Sequence, residues 1–325
     1  MNNTTRLLLA IGKIRGIGVK TLCQIRECDL VCITSAHELL SFLQSDSFPL
    51  KRKSIKELQI NAVKNALDIA DSIIENCEGN GISIISSFDR ELYPDRLRRL
   101  EDYPPYFFAK GKLDCLKKGG IAVIGTREPS EMGKRWGTRI AELFTENGLT
   151  IISGLAIGSD TCGHLGCLNK GGETIAVLPS PIENVYPAEN RKLLSEILDK
   201  GGCAISEYPM GTLMNKVNFV ARDRLQSGLA IGVTVIETGI TGGTWHAVNT
   251  GFKLGIPVSF LGYPDKHYAA FDNARGNEVG INDKGGYSIH DSRTANDFIQ
   301  LCRYSDKSGL ASEIKTGLGV QEKLF

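Results

Sequence analysis

Residues 120–178 read GIAVIGTREPSEMGKRWGTRIAELFTENGLTIISGLAIGSDTCGHLGCLNKGGETIAVL. Three apolar runs, Ile121–Ile124, Leu149–Ile152 and Thr174–Leu178, are separated by two stretches whose apolar residues recur at helical spacing. The runs are too short for helices and lack the alternation of a half-wet strand, so they read as strands buried on both faces. Ser130 is placed to cap the first helix, Glu131–Asn147, and Gly148 to end it. The second helix, Asp160–Lys170, is expected to open on Asp160 as its N-cap. Strand, helix, strand in this rhythm predicts parallel pairing through crossover helices.

The rhythm continues toward the C-terminus: helix Asn190–Lys200, strand Cys203–Ser206, helix Phe219–Ile231, strand Val233–Ile236, helix Thr244–Leu254 and strand Val258–Leu261. The expected class is therefore α/β, a Rossmann-like doubly wound and mainly parallel sheet. Toward the N-terminus the texture differs. Residues 11–27, IGKIRGIGVKTLCQIRE, place Gly16-Ile17-Gly18 between two short apolar-periodic segments, a pattern that fits either a helix-hairpin-helix whose bend offers backbone amides to a nucleic-acid phosphate or a small helical cap with no ligand. Residues 54–77 form one long amphipathic helix stopped by Gly79 and Gly81, followed by strands Ile82–Ser86 and Tyr106–Ala109. The organisation expected is a small N-terminal helical domain over 1–80, the Rossmann-like domain over 81–304, and a flexible tail over 305–325.

With 38 basic and 37 acidic residues in 325 the formal charge is +1, and 42% of residues are hydrophobic. Near-neutrality excludes a broad duplex-coating surface, so any anion site is a focused constellation. Nine cysteines without a CxxC pair or a zinc-finger histidine pair give no disulfide framework and no metal site, and no apolar stretch reaches membrane-spanning length. A cytoplasmic protein with reduced thiols, no metal and no membrane attachment is expected.

A doubly wound sheet binds ligands beyond the carboxyl ends of its strands, which gathers the loops 125–130, 153–160, 179–187, 206–218 and 237–243 on one rim. The loop Gly125-Thr126-Arg127 offers backbone amides, a helix N-terminus and a permanently charged fork. It is not GxGxxG, so no dinucleotide cofactor is expected. Ser153 and Gly154 bring a hydroxyl and a close-approach glycine. In Phe219-Val220-Ala221-Arg222-Asp223-Arg224, two arginines two positions apart diverge on a helix, so at most one is expected to face the rim, with Asp223 or Glu207 available to pair with the other. Gly242-Gly243-Thr244 forms a further anion-friendly turn. His164 stands one turn beyond Asp160, where an Asp–His contact or simple packing both fit.

Taken in order, VIGTREPSEMG, SGLAIGSDTCGHLGCL, GGETIAVLPSPIENVYPAEN, SEYP, FVARDRLQSGLA and VIETGITGGTWHA resemble the DprA/Smf family of DNA-processing proteins over roughly residues 5–290. The resemblance implies a non-catalytic protein that binds single-stranded DNA, loads a RecA-type recombinase in natural transformation, and forms homodimers. It implies a phosphate-binding pocket of Gly125, Thr126, Arg127, Ser153, Gly154, Phe219, Arg222, Arg224, Gly242, Gly243 and Thr244, with no cofactor. The sequence departs from the family pattern at Ser159, Gly163, Val220, Asp223 and Gly242, and offers no counterpart to the C-terminal winged-helix domain of many members. Asp223 weakens the potential between two presumed phosphate-binding arginines. The expected role is DNA processing, recombination, uptake or phage defence. Two other classes fit the same rim: a sensor of a small nucleotide, and a nucleotide phosphoribohydrolase with Glu207 or Glu237 as acid or base.

Overall fold

The structure, a computed structural model, describes residues 1–308. Six helices come first: α1 (Asn3–Ile11), α2 (Val19–Leu22), α3 (Glu27–Leu30), α4 (Ala36–Gln44), α5 (Lys53–Lys56) and α6 (Ile60–Gly79). The single long helix expected over 54–77 is thus interrupted at 57–59. Gln44 holds the interruption open, its Nε2 donating to the carbonyls of Lys56 and Leu58 at 3.0 Å each. Strands β1 (Ser83–Ser86) and β2 (Tyr106–Gly111) follow.

The expected alternation then appears as β3 (Gly120–Ile124), α7 (Glu131–Glu146), β4 (Thr150–Ser153), α8 (Ser159–Asn169), β5 (Thr174–Leu178), α9 (Arg191–Asp199), β6 (Cys203–Ser206), α10 (Lys216–Leu229), β7 (Gly232–Val235), α11 (Thr244–Lys253) and β8 (Val258–Leu261). Helix α10 starts a turn earlier than its apolar pattern suggests, because Asn215 caps it by accepting from the amides of Val217 and Asn218. Beyond the residues read from sequence lie α12 (Asp265–Ala270), α13 (Arg275–Asn282), β9 (Tyr287–Ile289) and α14 (Ser292–Ser308). Residues 305–308, expected to be loose, continue α14. Phe298, Cys302 and Ser305 fall on one buried stripe that carries the helix past the predicted boundary. The rest of the expected tail lies outside the described residues.

The strands form one sheet in the order β1-β2-β6-β5-β4-β3-β7-β8-β9. The first two pairings are antiparallel and all others parallel. Along β3 the side chains alternate between two cores. Ile121 and Val123 pack with Ile140 and Phe144 of α7 on one face, while Ala122 and Ile124 join Leu225 and Leu229 of α10 on the other. A third core holds the N-terminal helices against Phe108, Leu178, Ile197 and Ala204. Because β2 runs antiparallel to β6, with Phe108 opposite Ser206, the residues entering β2 stand at the carboxyl end of the parallel strands. Helices α1 and α2 follow them there: Tyr103 Oη donates to the Cys23 carbonyl at 3.0 Å, and the Cys23 thiol donates to the Tyr103 carbonyl.

Candidate nucleic-acid interface

The strand order reverses between β3 and β7, where a doubly wound sheet opens its ligand crevice. Here protein fills that crevice. The Glu237 carboxyl group, fully buried just after β7, accepts from the Ser130 amide (2.6 Å), the Ser130 hydroxyl (2.7 Å) and His267 Nε2 (2.7 Å). His267 is in turn sandwiched between Tyr263 and Phe271 at 4.4 and 4.8 Å. A carboxylate thus stands at the N-terminus of α7, where a dinucleotide-binding fold holds pyrophosphate. The Thr126 amide is also engaged, donating to the Glu237 carbonyl at 2.7 Å.

The open cleft lies to one side, over the ends of β3, β4 and β5. Arg127, Gly154, Ala156, Ile157, Pro179, Tyr186, Pro187, Phe219 and Arg222 line it. Arg127 is exposed and forms no ion pair among the described residues; its guanidinium sits 5.4 Å from the centre of the Phe219 ring. Tyr186 meets the same ring edge-on at 5.4 Å. Glu131, within reach of the same loop, binds Lys134 instead. The cleft's free volume is only about 30 Å³. Small-molecule pockets typically run to several hundred cubic ångströms, so this is a surface notch suited to a phosphate or the edge of a base.

Arg222 forms the floor. It is 5% exposed, and its Nη1 donates to the carbonyls of Gly154 (2.5 Å) and Val177, while its Nε meets Asp223 Oδ1 at 3.1 Å. Gly154 is required here, because a Cβ on it would collide with the guanidinium. Burial pushes the Asp223 carboxyl pKa up, against the pull of Arg222, His246 and Arg127. Asp223 is therefore the counter-ion of a structural arginine, and Arg127 is left as the unneutralised charge of the cleft. Arg224, expected among the phosphate ligands, faces elsewhere. It forks onto Glu207 at 2.7 and 2.8 Å and reaches Asp102, riveting α10 and the loop after β6 to the segment entering β2. Two arginines two positions apart on a helix do diverge, as expected, but both are paired.

Ser153 is a second correction: fully buried, its hydroxyl donates inward to the Val123 carbonyl at 2.6 Å. Gly242, Gly243 and Thr244 form an exposed turn into α11 that does not line the cleft, although His246 beyond it is close enough to act on Asp223. Asp160 is also misplaced as an N-cap. Gly158, at φ +81°, makes the entry to α8, and the Asp160 carboxylate turns back to accept from the amides of Gly154 and Ala156. Two amides of this strand-end loop are thereby occupied.

His164 does not touch Asp160. Its Nδ1 meets Thr174 Oγ1 at 2.7 Å; that hydroxyl already donates to the Ile151 carbonyl, so Nδ1 carries the proton and buried Nε2 has no partner. Burial holds the His164 pKa down to about 3 and lifts that of Asp160 to about 6. The two oppose each other in acid. Below about pH 6.5 the unfolded chain protonates at this histidine and the folded chain does not, so stability falls as pH falls toward 3. At Asp160 the folded chain takes the proton first, so stability rises as pH falls from about 6 to 4. His164→Asn keeps a donor toward Thr174 and removes only the first effect. Between pH 7 and 5 it should fare about 2 kcal/mol better, relative to its own pH 7 value, than the wild type in urea denaturation. Parallel pH profiles would refute the burial argument.

A family model, DNA recombination-mediator protein A, matches residues 83–293. The chain belongs to that family. Among curated relatives, Protein Smf of Escherichia coli is 35% identical over 176 residues, 54% of this chain and 47% of that one. DNA processing protein DprA of Streptococcus pneumoniae is 37% identical over 176 residues, 53% and 62% of the two chains. The chain spans about half the length of the curated relatives it matches. The solved structure of DNA processing protein A from Streptococcus pneumoniae superposes with a TM-score of 0.71 at 23% identity, covering 91% of this chain and 98% of that one. DNA processing protein A from Helicobacter pylori, described for its single-stranded DNA binding mode, gives 0.60 at 24%, covering 69% and 96%. These likenesses establish the Rossmann-like fold.

Within this DNA recombination-mediator family member, the structure brings together Arg127, Gly154, Phe219 and Arg222 from the expected set. The expected set left out Ala156, Ile157, Pro179, Tyr186 and Pro187. The Tyr-Pro pair was visible as a motif, but its place beside Phe219 depends on loop packing. Ile157, Tyr186, Leu213, Val217 and Val220 are exposed on the rim loops and the start of α10, an apolar border to the cleft. Among the described residues, no helix is long and apolar enough to cross a membrane, and no His, Cys, Asp and Glu cluster could hold a metal ion.

Proposed function

We propose that this chain binds single-stranded DNA without catalysis and with little sequence preference, in recombination or DNA uptake. The observation that carries the reading is Arg127: an exposed guanidinium with no carboxylate partner, poised over an aromatic ring at a strand-end rim. A phosphate seats on Arg127, with Arg222 beneath it, and the bases lie against Phe219, Tyr186 and the apolar border. Phosphate contacts position a strand without reading it, and stacking tolerates every base. Relatives named for DNA processing and for single-strand binding support this substrate class. A RecA-type recombinase, a second copy of the chain and a cytoplasmic setting belong to the same proposal.

The small free volume disfavours a nucleotide sensor or a phosphoribohydrolase at this cleft, since neither substrate could be enclosed. Glu207 and Glu237, the acids such an enzyme would need, are engaged by Arg224 and by Ser130 with His267. Fluorescence anisotropy with a labelled oligothymidylate tests the reading. Arg127→Ala should weaken binding by about 1–3 kcal/mol while leaving the melting temperature unchanged. Wild-type protein that stays folded and fails to bind at low salt would overturn it.

A further inference from the structure

A second cavity lies in the N-terminal helices, at the turn between α1 and α2. Its free volume is about 580 Å³, and Lys13, Ile14, Arg15, Gly16, Ser54, Leu58, Ala62, Asn65 and Ala66 line it. Ile14, Leu58, Ala62 and Ala66 make an apolar floor, and Lys13, Arg15, Ser54 and Asn65 supply polar atoms around it. No carboxylate is among the lining residues. Neither cation has an ion-pair partner among the described residues, whereas Arg6, Arg26, Lys51 and Lys53 of the same helical segment do. The nearest acid in sequence to the α5 wall, Glu57, is 3.6 Å from Lys53. Lys13 is half-buried, and that burial alone lowers its pKa, the mark of a cation with no anion to offset its desolvation.

Two unneutralised cations beside an apolar floor are complementary to one chemical unit, a nucleotide, with phosphate on the charges and sugar and base on the floor. The position agrees with this. The segment entering β2 stands at the carboxyl end of the parallel strands, and α2 is bonded to it through Cys23 and Tyr103. Strand β2 lies four places from β3, whose end carries Arg127, so at about 4.8 Å per strand the lateral offset from Arg127 to β2 is on the order of 20 Å.

We infer that this N-terminal cavity is a second nucleotide-binding site, taking a phosphate-bearing unit of the same single strand whose other end occupies the Arg127 cleft. The inference rests on the proposed function. Anisotropy with 6-mer and 25-mer oligothymidylate, and thermal shift with free thymidine monophosphate, tests it on the wild type, Arg127→Ala, and the double variant Lys13→Gln with Arg15→Gln. Arg15→Gln alone, at an exposed position, guards against misfolding.

The double variant should lose roughly tenfold in affinity for the 25-mer and nothing for the 6-mer. Its slope of log affinity against log salt should fall by about 1.4, two contacts of about 0.7 each. A shift by free monophosphate that vanishes in the double variant would also support the site, with the free nucleotide as its source. Wild-type behaviour of the double variant with every probe overturns the inference. Equal losses on both lengths overturn it too, because the residues would then act on the first cleft. If the wild type binds neither oligonucleotide, the proposed function fails; if it binds in an Arg127-dependent way with no length effect of Lys13 and Arg15, only this inference fails.

Discussion

Arg222→Ala is expected to cost about 3–5 kcal/mol of folding stability, measured by urea denaturation, the range seen when one partner of a buried charge pair is removed. The guanidinium ties together three elements at once: the loop after β4 through Gly154, the end of β5 through Val177, and its own helix through Asp223. Alanine leaves two carbonyls without a donor and Asp223 without its counter-ion, in a place where burial already raises that carboxyl's pKa. Adding Asp223→Ala should return part of the loss, because the stranded charge goes with it. A single-variant cost under about 1 kcal/mol, or strictly additive costs in the pair, would show that Arg222 is not the rivet its contacts describe.

Glu237→Ala should be nearly as damaging, at about 3 kcal/mol. Three donors, the Ser130 amide, the Ser130 hydroxyl and His267 Nε2, lose their acceptor inside the sealed switch point, at about 1–3 kcal/mol each before relaxation. Ser130→Ala, which removes one of those donors and the N-cap of α7, should cost only about 1–2 kcal/mol. If the two variants melt together, Glu237 is not the hub of the cluster. The Thr126 amide bonds to the Glu237 backbone, so the Arg127 loop keeps its anchor in the alanine variant. Whatever fraction of that variant remains folded should still bind oligonucleotide.

The sheet was legible because each strand from β3 to β8 is a short, mostly apolar run buried at every residue, the pattern that helices on both faces demand. The stretch after β8 was not. Helix α12 has only six residues, α13 carries Gly276, Asn277 and Gly280 on its buried side, and β9 is three residues long between Gly286 and His290. None of these is long enough for a period to show. The site divided along the same line. Arg127 was readable because it follows a strand and precedes a capped helix, all within a few residues. Arg224 entered the phosphate set through the family resemblance; pairing with Glu207 was open from the residues themselves, while Asp102, 122 residues away, left no local signal. Asp160 was misassigned as a cap because Gly158, Ser159 and Asp160 are all acceptable N-caps, and only the positive φ of Gly158 decides among them.

Asp160 and Glu237 have a joint consequence for how recognition can change. Anion sites made of backbone amides survive most substitutions, since every residue but proline carries the same donor. In this chain two internal carboxylates and the Glu237 carbonyl already hold the amides of Gly154, Ala156, Ser130 and Thr126. Anion recognition in the proposed cleft is left chiefly to one removable side chain on a loop whose shape does not depend on it. Affinity can therefore be graded, reversed or silenced by single replacements at position 127, with the sheet and its three cores undisturbed.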